Sequence, residues 1–129
     1  MKVYDIMSKN VIAVNDKDTV NKALNMLIDK RINGAPVVDK DNNLKGIIVK
    51  ADIYRFLVDE GHYDTYPVES VMKKEVVTAE TEEKIIDVAK KIRYNDIVAI
   101  PVVDKSNKVI GMISMEDIID YFIEELNRV

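Results

Sequence analysis

The chain has no cysteine and no tryptophan, a single histidine and only four glycines among its 129 residues. The first absence excludes a disulfide framework and all thiolate chemistry. The few glycines are scattered, so no glycine-rich phosphate loop of the P-loop type can form. His62 stands among Asp59, Glu60 and Asp64. Imidazole and carboxylates are metal-ligand types, but this spacing fits no defined signature, and the residue reads as part of a hinge or solvated loop. Catalysis would need a nucleophile with its base, paired carboxylates in one site or a metal cluster. The inventory offers none of these, so a non-enzymatic role without catalytic residues, metal or cofactor is expected.

Long apolar runs are missing too, which excludes a membrane-spanning helix. The opening Met1-Lys2-Val3-Tyr4-Asp5 lacks the apolar stretch of a signal peptide, so a cytoplasmic protein is expected. Nineteen basic and 23 acidic residues leave a net charge of −4. They are interleaved and form no basic stripe, which disfavours nucleic acid as a partner.

What is present is a repeat. Residues 35–53, APVVDKDNNLKGIIVKADI, return as residues 100–118, IPVVDKSNKVIGMISMEDI, at a constant offset of 65. Pro36-Val37-Val38-Asp39-Lys40 recurs as Pro101-Val102-Val103-Asp104-Lys105. Gly46, Asp52 and Ile53 recur as Gly111, Asp117 and Ile118, and further back Met7 matches Met72 and Val11 matches Val76. A long period repeated only twice points to a pseudo-two-fold module and not to a solenoid. Each repeat of roughly 60 residues is marginal as a folding unit, so one shared core is expected.

Both repeats read as β-α-β-β-α. First strands are expected at Val11–Val14 and Val76–Ala79. Helices follow, with apolar stripes at Val20, Ala23, Leu24, Leu27 and Ile28 and at Ile85, Val88, Ala89 and Ile92. Asp16 and Thr81 precede them as candidate N-caps. Second strands cover Ala35–Val38 and Ala99–Val103. Turn-rich segments, residues 39–43 and 104–108, lead into third strands at Leu44–Val49 and Val109–Ser114. The final helices carry Ile53, Phe56 and Leu57, and Ile119, Phe122, Ile123 and Leu126. The organisation is repeat 1 at residues 1–60, a polar linker at 61–67 and repeat 2 at 68–129.

The x-P-V-V-D segment and the ending G-h-h-x-x-x-D-h (h, apolar), both present twice at one offset, resemble the cystathionine-β-synthase (CBS) domain. This domain occurs as tandem pairs called Bateman modules. The similarity runs from about Val3 to Phe122. It implies an α+β fold of two pseudo-two-fold-related repeats, each a small sheet with helices packed on it. It also implies a regulatory module that senses AMP, ADP, ATP or S-adenosylmethionine in clefts between the repeats. The chain looks like a stand-alone pair, and such pairs commonly dimerise.

The same resemblance assigns residues. Asp52 and Asp117 take the place of an Asp that binds ribose hydroxyls, chemistry also used by the acidic residue of dinucleotide folds. A second role is open for Asp117, because Ser114-Met115-Glu116-Asp117 also reads as a capping box. Repeat 1 has Val49 in place of Ser114, so capping explains Asp52 less well. Ser114 corresponds to a Thr or Ser contacting ribose or phosphate, and Thr78 to a Thr position where repeat 1 has Ala13. Pockets of this family are assembled across the pair. Ile12, Ala13, Ile32 and Ala35 would then hold the adenine of the Asp117 pocket, and Val77, Thr78, Ile97 and Ile100 that of the Asp52 pocket. Core packing is the competing role for each apolar residue.

Phosphates need cations or free N–H groups, and Lys30, Arg31 and Lys50 are the repeat-1 candidates. Repeat 2 offers Arg93 but has Asp96 in place of Arg31, so the two pockets are electrostatically unequal. Tyr54, Phe56, Tyr121, Phe122 and Ile123 exceed what one buried helical face needs, which points to a homodimer through the repeat-terminal helices. A protein target would read the signal. The alternative to ligand sensing is a non-binding dimerisation adaptor.

Overall fold

The computed structural model describes residues 1–128. In chain order its elements are α1 (Val3–Ile6), β1 (Val14–Asn15), α2 (Val20–Asp29), β2 (Gly34–Val38), β3 (Leu44–Val49) and α3 (Lys50–Leu57). After a 3-10 turn (Val68–Ser70) come α4 (Ile85–Tyr94), β4 (Ala99–Val103), β5 (Val109–Ser114) and α5 (Met115–Asn127). The architecture is α+β, with small sheets and helices packed on them.

Residue contacts divide the chain into a middle unit, Ile12–Val76, and a terminal unit made of Met1–Val11 with the chain from Val77 onward. Each unit has its own core, where one shared core was expected. In the middle unit Val14, Val20, Ala23, Leu27, Val37, Ile48, Ile53 and Val68 form the buried cluster. In the terminal unit Val3, Ile85, Val88, Ile92, Ile100, Val102, Ile113 and Ile118 do the same. Each unit escapes the marginality of a single repeat by recruiting the segment that opens the other one. Residues 68–73 dock on β3 through paired bonds between Ile47 and Lys73, at 2.9 and 2.8 Å. Residues 3–8 dock on β5 through Ser8 and Met112, at 2.8 and 3.0 Å.

Two glycines make that docking possible. A Cβ on Gly46 would stand 2.6 Å from the Lys73 carbonyl oxygen and 2.8 Å from the Met72 sulfur. A Cβ on Gly111 would stand 2.6 Å from the Met7 sulfur and 3.0 Å from the Ser8 carbonyl oxygen. The repeated Met and the repeated Gly are therefore two sides of one contact.

The sheet of the middle unit has the order β1-β2-β3, with β1 parallel to β2 and β2 antiparallel to β3. In the terminal unit β4 and β5 pair antiparallel in the same register, Val102 opposite Gly111 as Val37 is opposite Gly46. The first strands are shorter than expected. β1 spans two residues, and its counterpart is a single parallel bridge from Ala79 to Val102. Continuing either ladder towards the N-terminus would require pairing at Pro36 or Pro101, which have no N–H to donate.

The helix starts also differ from expectation. α2 is capped by Thr19, whose Oγ1 accepts the Lys22 N–H at 3.2 Å, and α4 begins after Lys84 without a side-chain cap. Asp16 is instead buried before the turn, with its N–H on the Val38 carbonyl at 2.8 Å. Thr81 gives its carbonyl to the Tyr4 N–H at 3.1 Å. Both candidate caps lie about one turn too early because residues 16–19 and 81–84 are spent on turns.

The linker is pinned. Carbonyls of Tyr66 and Asp64 accept the Val20 and Asn21 N–H groups at 2.8 Å each, two of the orphan donors that open α2. No helix among the described residues is long and apolar enough to cross a membrane.

Candidate functional site

The two carboxylates singled out by the repeat sit at equivalent positions in different surroundings. In the terminal unit, β5 runs straight into α5, and Ser114 is the last strand residue and the N-cap. Its Oγ accepts the Asp117 N–H at 3.1 Å, while Asp117 Oδ2 accepts the Ser114 N–H at 2.9 Å. The next orphan donor, the Met115 N–H, reaches the Val98 carbonyl at 2.8 Å. This reciprocal capping box fixes a hydroxyl and a carboxylate side by side at the positive end of a helix. Both side chains are half-buried. The carboxylate accepts donors and the hydroxyl can donate or accept, which is the equipment for a vicinal diol.

In the middle unit β3 runs into α3 in the same manner, with the Lys50 N–H on the Asn33 carbonyl at 2.8 Å. Val49 has no hydroxyl, and α3 has no side-chain cap bond. The Asp52 carboxylate, whose side chain is 12% exposed, instead forms an ion pair through Oδ1 with Arg55 one turn on. Lys73 Nζ lies 3.8 Å from Oδ2, and Oδ2 is buried without a hydrogen-bond partner among the described residues. A cavity of about 370 Å³ opens beside them, lined also by Phe56, His62 and Ser70.

Arg55 and Lys73 were not foreseen from the sequence. The Asp52/Arg55 spacing of i, i+3 on a helix was the available signal. Lys73 reaches Asp52 only through the docking of residues 68–73 on β3, which no local pattern announces.

His62, expected in a hinge or solvated loop, does lie in a loop, but its side chain is half-buried. Its ring stacks on Phe56 with centroids 4.1 Å apart and planes 9° apart, and Nδ1–H donates to the Phe56 carbonyl at 2.8 Å. Tyr66 meets Phe56 edge-on at 5.4 Å and donates its hydroxyl to the Gly61 carbonyl at 2.8 Å. Among the described residues no group of three or more His, Cys, Asp or Glu is arranged to hold a metal ion.

The remaining candidates fall into two kinds. Ala35 and Ile100 are buried members of their unit cores, and Ile32, Val77 and Ile97 pack against those cores. Ile12 and Ala13 precede β1, the first half-buried and the second exposed. Thr78 is half-buried, its carbonyl accepting Lys91 Nζ at 2.8 Å. Lys50 opens α3, and Lys30, Arg31, Arg93 and Asp96 are exposed at the ends of α2 and α4.

Arg31 and Asp96 share a role the sequence did not suggest. Both have left-handed backbones, φ 57° and 54°. The following Ile32 and Ile97 N–H groups reach back to the Leu27 and Ile92 carbonyls at 3.0 and 3.2 Å. That is the Schellman termination, normally occupied by glycine.

A family model for the CBS domain matches the chain twice, at residues 3–59 and 68–124. A CBS domain-containing protein of Dictyostelium discoideum is 35% identical over 138 residues, covering 98% of this chain and 94% of its own length. A homoserine O-acetyltransferase of Methanococcus vannielii is 36% identical over 116 residues, 90% of this chain. The chain spans about a quarter (24%) of that enzyme's length. Among solved structures, a CBS domain pair in complex with 5-methylthioadenosine and S-adenosyl-L-methionine is 33% identical with a TM-score of 0.85, covering 97% of this chain and 98% of that one. With two family matches spanning most of its length, the chain belongs to the CBS-domain family and is a CBS domain pair.

Proposed function

We propose that this chain is a regulatory module that binds an adenosine-containing ligand, with Asp117 accepting the ribose hydroxyls and Ser114 assisting at the ribose or phosphate. The observation that carries the reading is the likeness, over nearly the whole of both chains, to a CBS domain pair in complex with two adenosine compounds. The capping box of α5 supports it, because the box holds carboxylate and hydroxyl in place before any ligand arrives. From the family resemblance Ile12, Ala13, Ile32 and Ala35 enter the proposal as adenine contacts that go with Asp117, Val77, Thr78, Ile97 and Ile100 as those that go with Asp52, and Lys50 and Arg31 as phosphate partners. Regulation comes from differential affinity for two conformations of the module, not from chemistry. Titration calorimetry against AMP, ADP, ATP and S-adenosylmethionine tests this. Binding near micromolar, about −8 kcal/mol, that is lost in Asp117→Ala is the expected result.

The second reading is a dimerising adaptor without a ligand. It is favoured by the apolar side chains that α5 leaves exposed, Ile119, Ile123 and Leu126, the last at 76%. Homodimerisation through the repeat-terminal helices is part of both readings, and Ile123→Glu is expected to yield a monomer in sedimentation. A silent titration from an intact dimer would select the adaptor.

A further inference from the structure

We infer that Arg55 and Lys73 close the repeat-1 counterpart of the Asp117 site, leaving the chain one ligand-accepting carboxylate instead of two. The inference rests on the adenosine-binding reading above and specifies which half of the pair carries it.

At the 65-residue offset the counterparts of Arg55 and Lys73 are Asp120 and Ser8. Both cations beside Asp52 are thus absent from the equivalent places around Asp117, although the backbone is the same. Lys73 is paired to Ile47 on β3 just as Ser8 is paired to Met112 on β5. Among the described residues no Lys, Arg or His forms an ion pair with Asp117.

A ribose diol brings two hydroxyl donors, and a carboxylate holds it best with one on each oxygen. The guanidinium of Arg55 occupies Oδ1 of Asp52, and the Lys73 ammonium neutralises Oδ2 from 3.8 Å. The cations themselves are well exposed, 70% and 66%, whereas the carboxylate is not. A diol arriving at Asp52 has to replace an ion pair, charged on both partners, with hydrogen bonds charged only on the acceptor. Among the described residues the one hydrogen-bond donor to the Asp117 carboxylate is the Ser114 N–H. That bond leaves a lone pair on Oδ2 and both on Oδ1.

Titration calorimetry of the full chain with AMP, repeated with S-adenosylmethionine, decides the matter. The wild type is expected to bind one ligand per chain, at least about tenfold more weakly after Asp117→Ala and within about twofold of wild type after Asp52→Asn. The double variant Arg55→Gln/Lys73→Met, altered only at exposed side chains, is expected to bind a second ligand that disappears when Asp52→Asn is added. Two equal sites in the wild type would overturn the inference while leaving the proposed function standing. So would a loss in Asp52→Asn matching that in Asp117→Ala, or a double variant that still binds one. Absence of binding by wild type and double variant alike would overturn both.

Discussion

Single residues carry the asymmetry of this pair. Ser114 and Val49 are equivalent, yet only the serine can accept an N–H at the start of its helix. Val49→Ser is therefore expected to stabilise the fold by about 1 kcal/mol and Ser114→Ala to destabilise it by a similar amount, read from urea unfolding midpoints. Asp39 illustrates a carboxylate spent on a turn. It accepts the Asp41 and Asn43 N–H groups at 2.9 Å each, and the Asn43 amide at 3.1 Å. The Asn43 N–H first, and its side chain next, hold the Asp39 carboxyl below its ordinary 3.8. Because the folded value is the lower one, the stabilisation is complete above the ordinary value and is lost as pH falls through the folded one. An NMR titration of the Asp39 carboxyl carbon should show a midpoint that rises towards 3.8 in Asn43→Ala.

At the scale of elements, the helices are governed by how they end. Arg31 and Asp96 pay the left-handed penalty that glycine avoids. Arg31→Gly and Asp96→Gly should each raise stability by about 1 kcal/mol, with adenosine affinity falling only if Arg31 touches phosphate. Gly46 and Gly111 are constrained in the opposite sense, since any side chain collides with the segment docked on β3 or β5. Gly46→Ala and Gly111→Ala should cost about 1–3 kcal/mol each, measurable as lowered melting temperatures.

The strands, hairpins and helices were legible from the repeat because alternation and 3.6-residue periodicity are local. The helix caps were not: residues 16–19 offer Asp16, Asp18 and Thr19, and only the turn geometry selects Thr19, whereas in 81–84 the one capping type, Thr81, is spent on the turn and α4 starts without a side-chain cap. The short first strands were written in Pro36 and Pro101, but that constraint acts on a neighbouring strand and is visible only once the strands are paired.

For the whole molecule, the organisation into two cores was hidden from the sequence. The 65-residue period divides the chain into consecutive repeats, whereas the packed units exchange their opening segments. The exchange has a chemical consequence, since it brings Lys73 to Asp52 and Ser8 to the equivalent place in the terminal unit. The candidate site was half legible on the same grounds. Ser114 and Asp117 are three residues apart and fold into one capping box, while the partners of Asp52 depend on tertiary docking.

The most direct measurement is an amide chemical-shift map of the labelled protein titrated with AMP and with S-adenosylmethionine. The account predicts saturable shifts at Ser114 and Asp117, with Asp52 and Arg55 unmoved. Unchanged amides at 114–117, or equal shifts at 49–55, would contradict it.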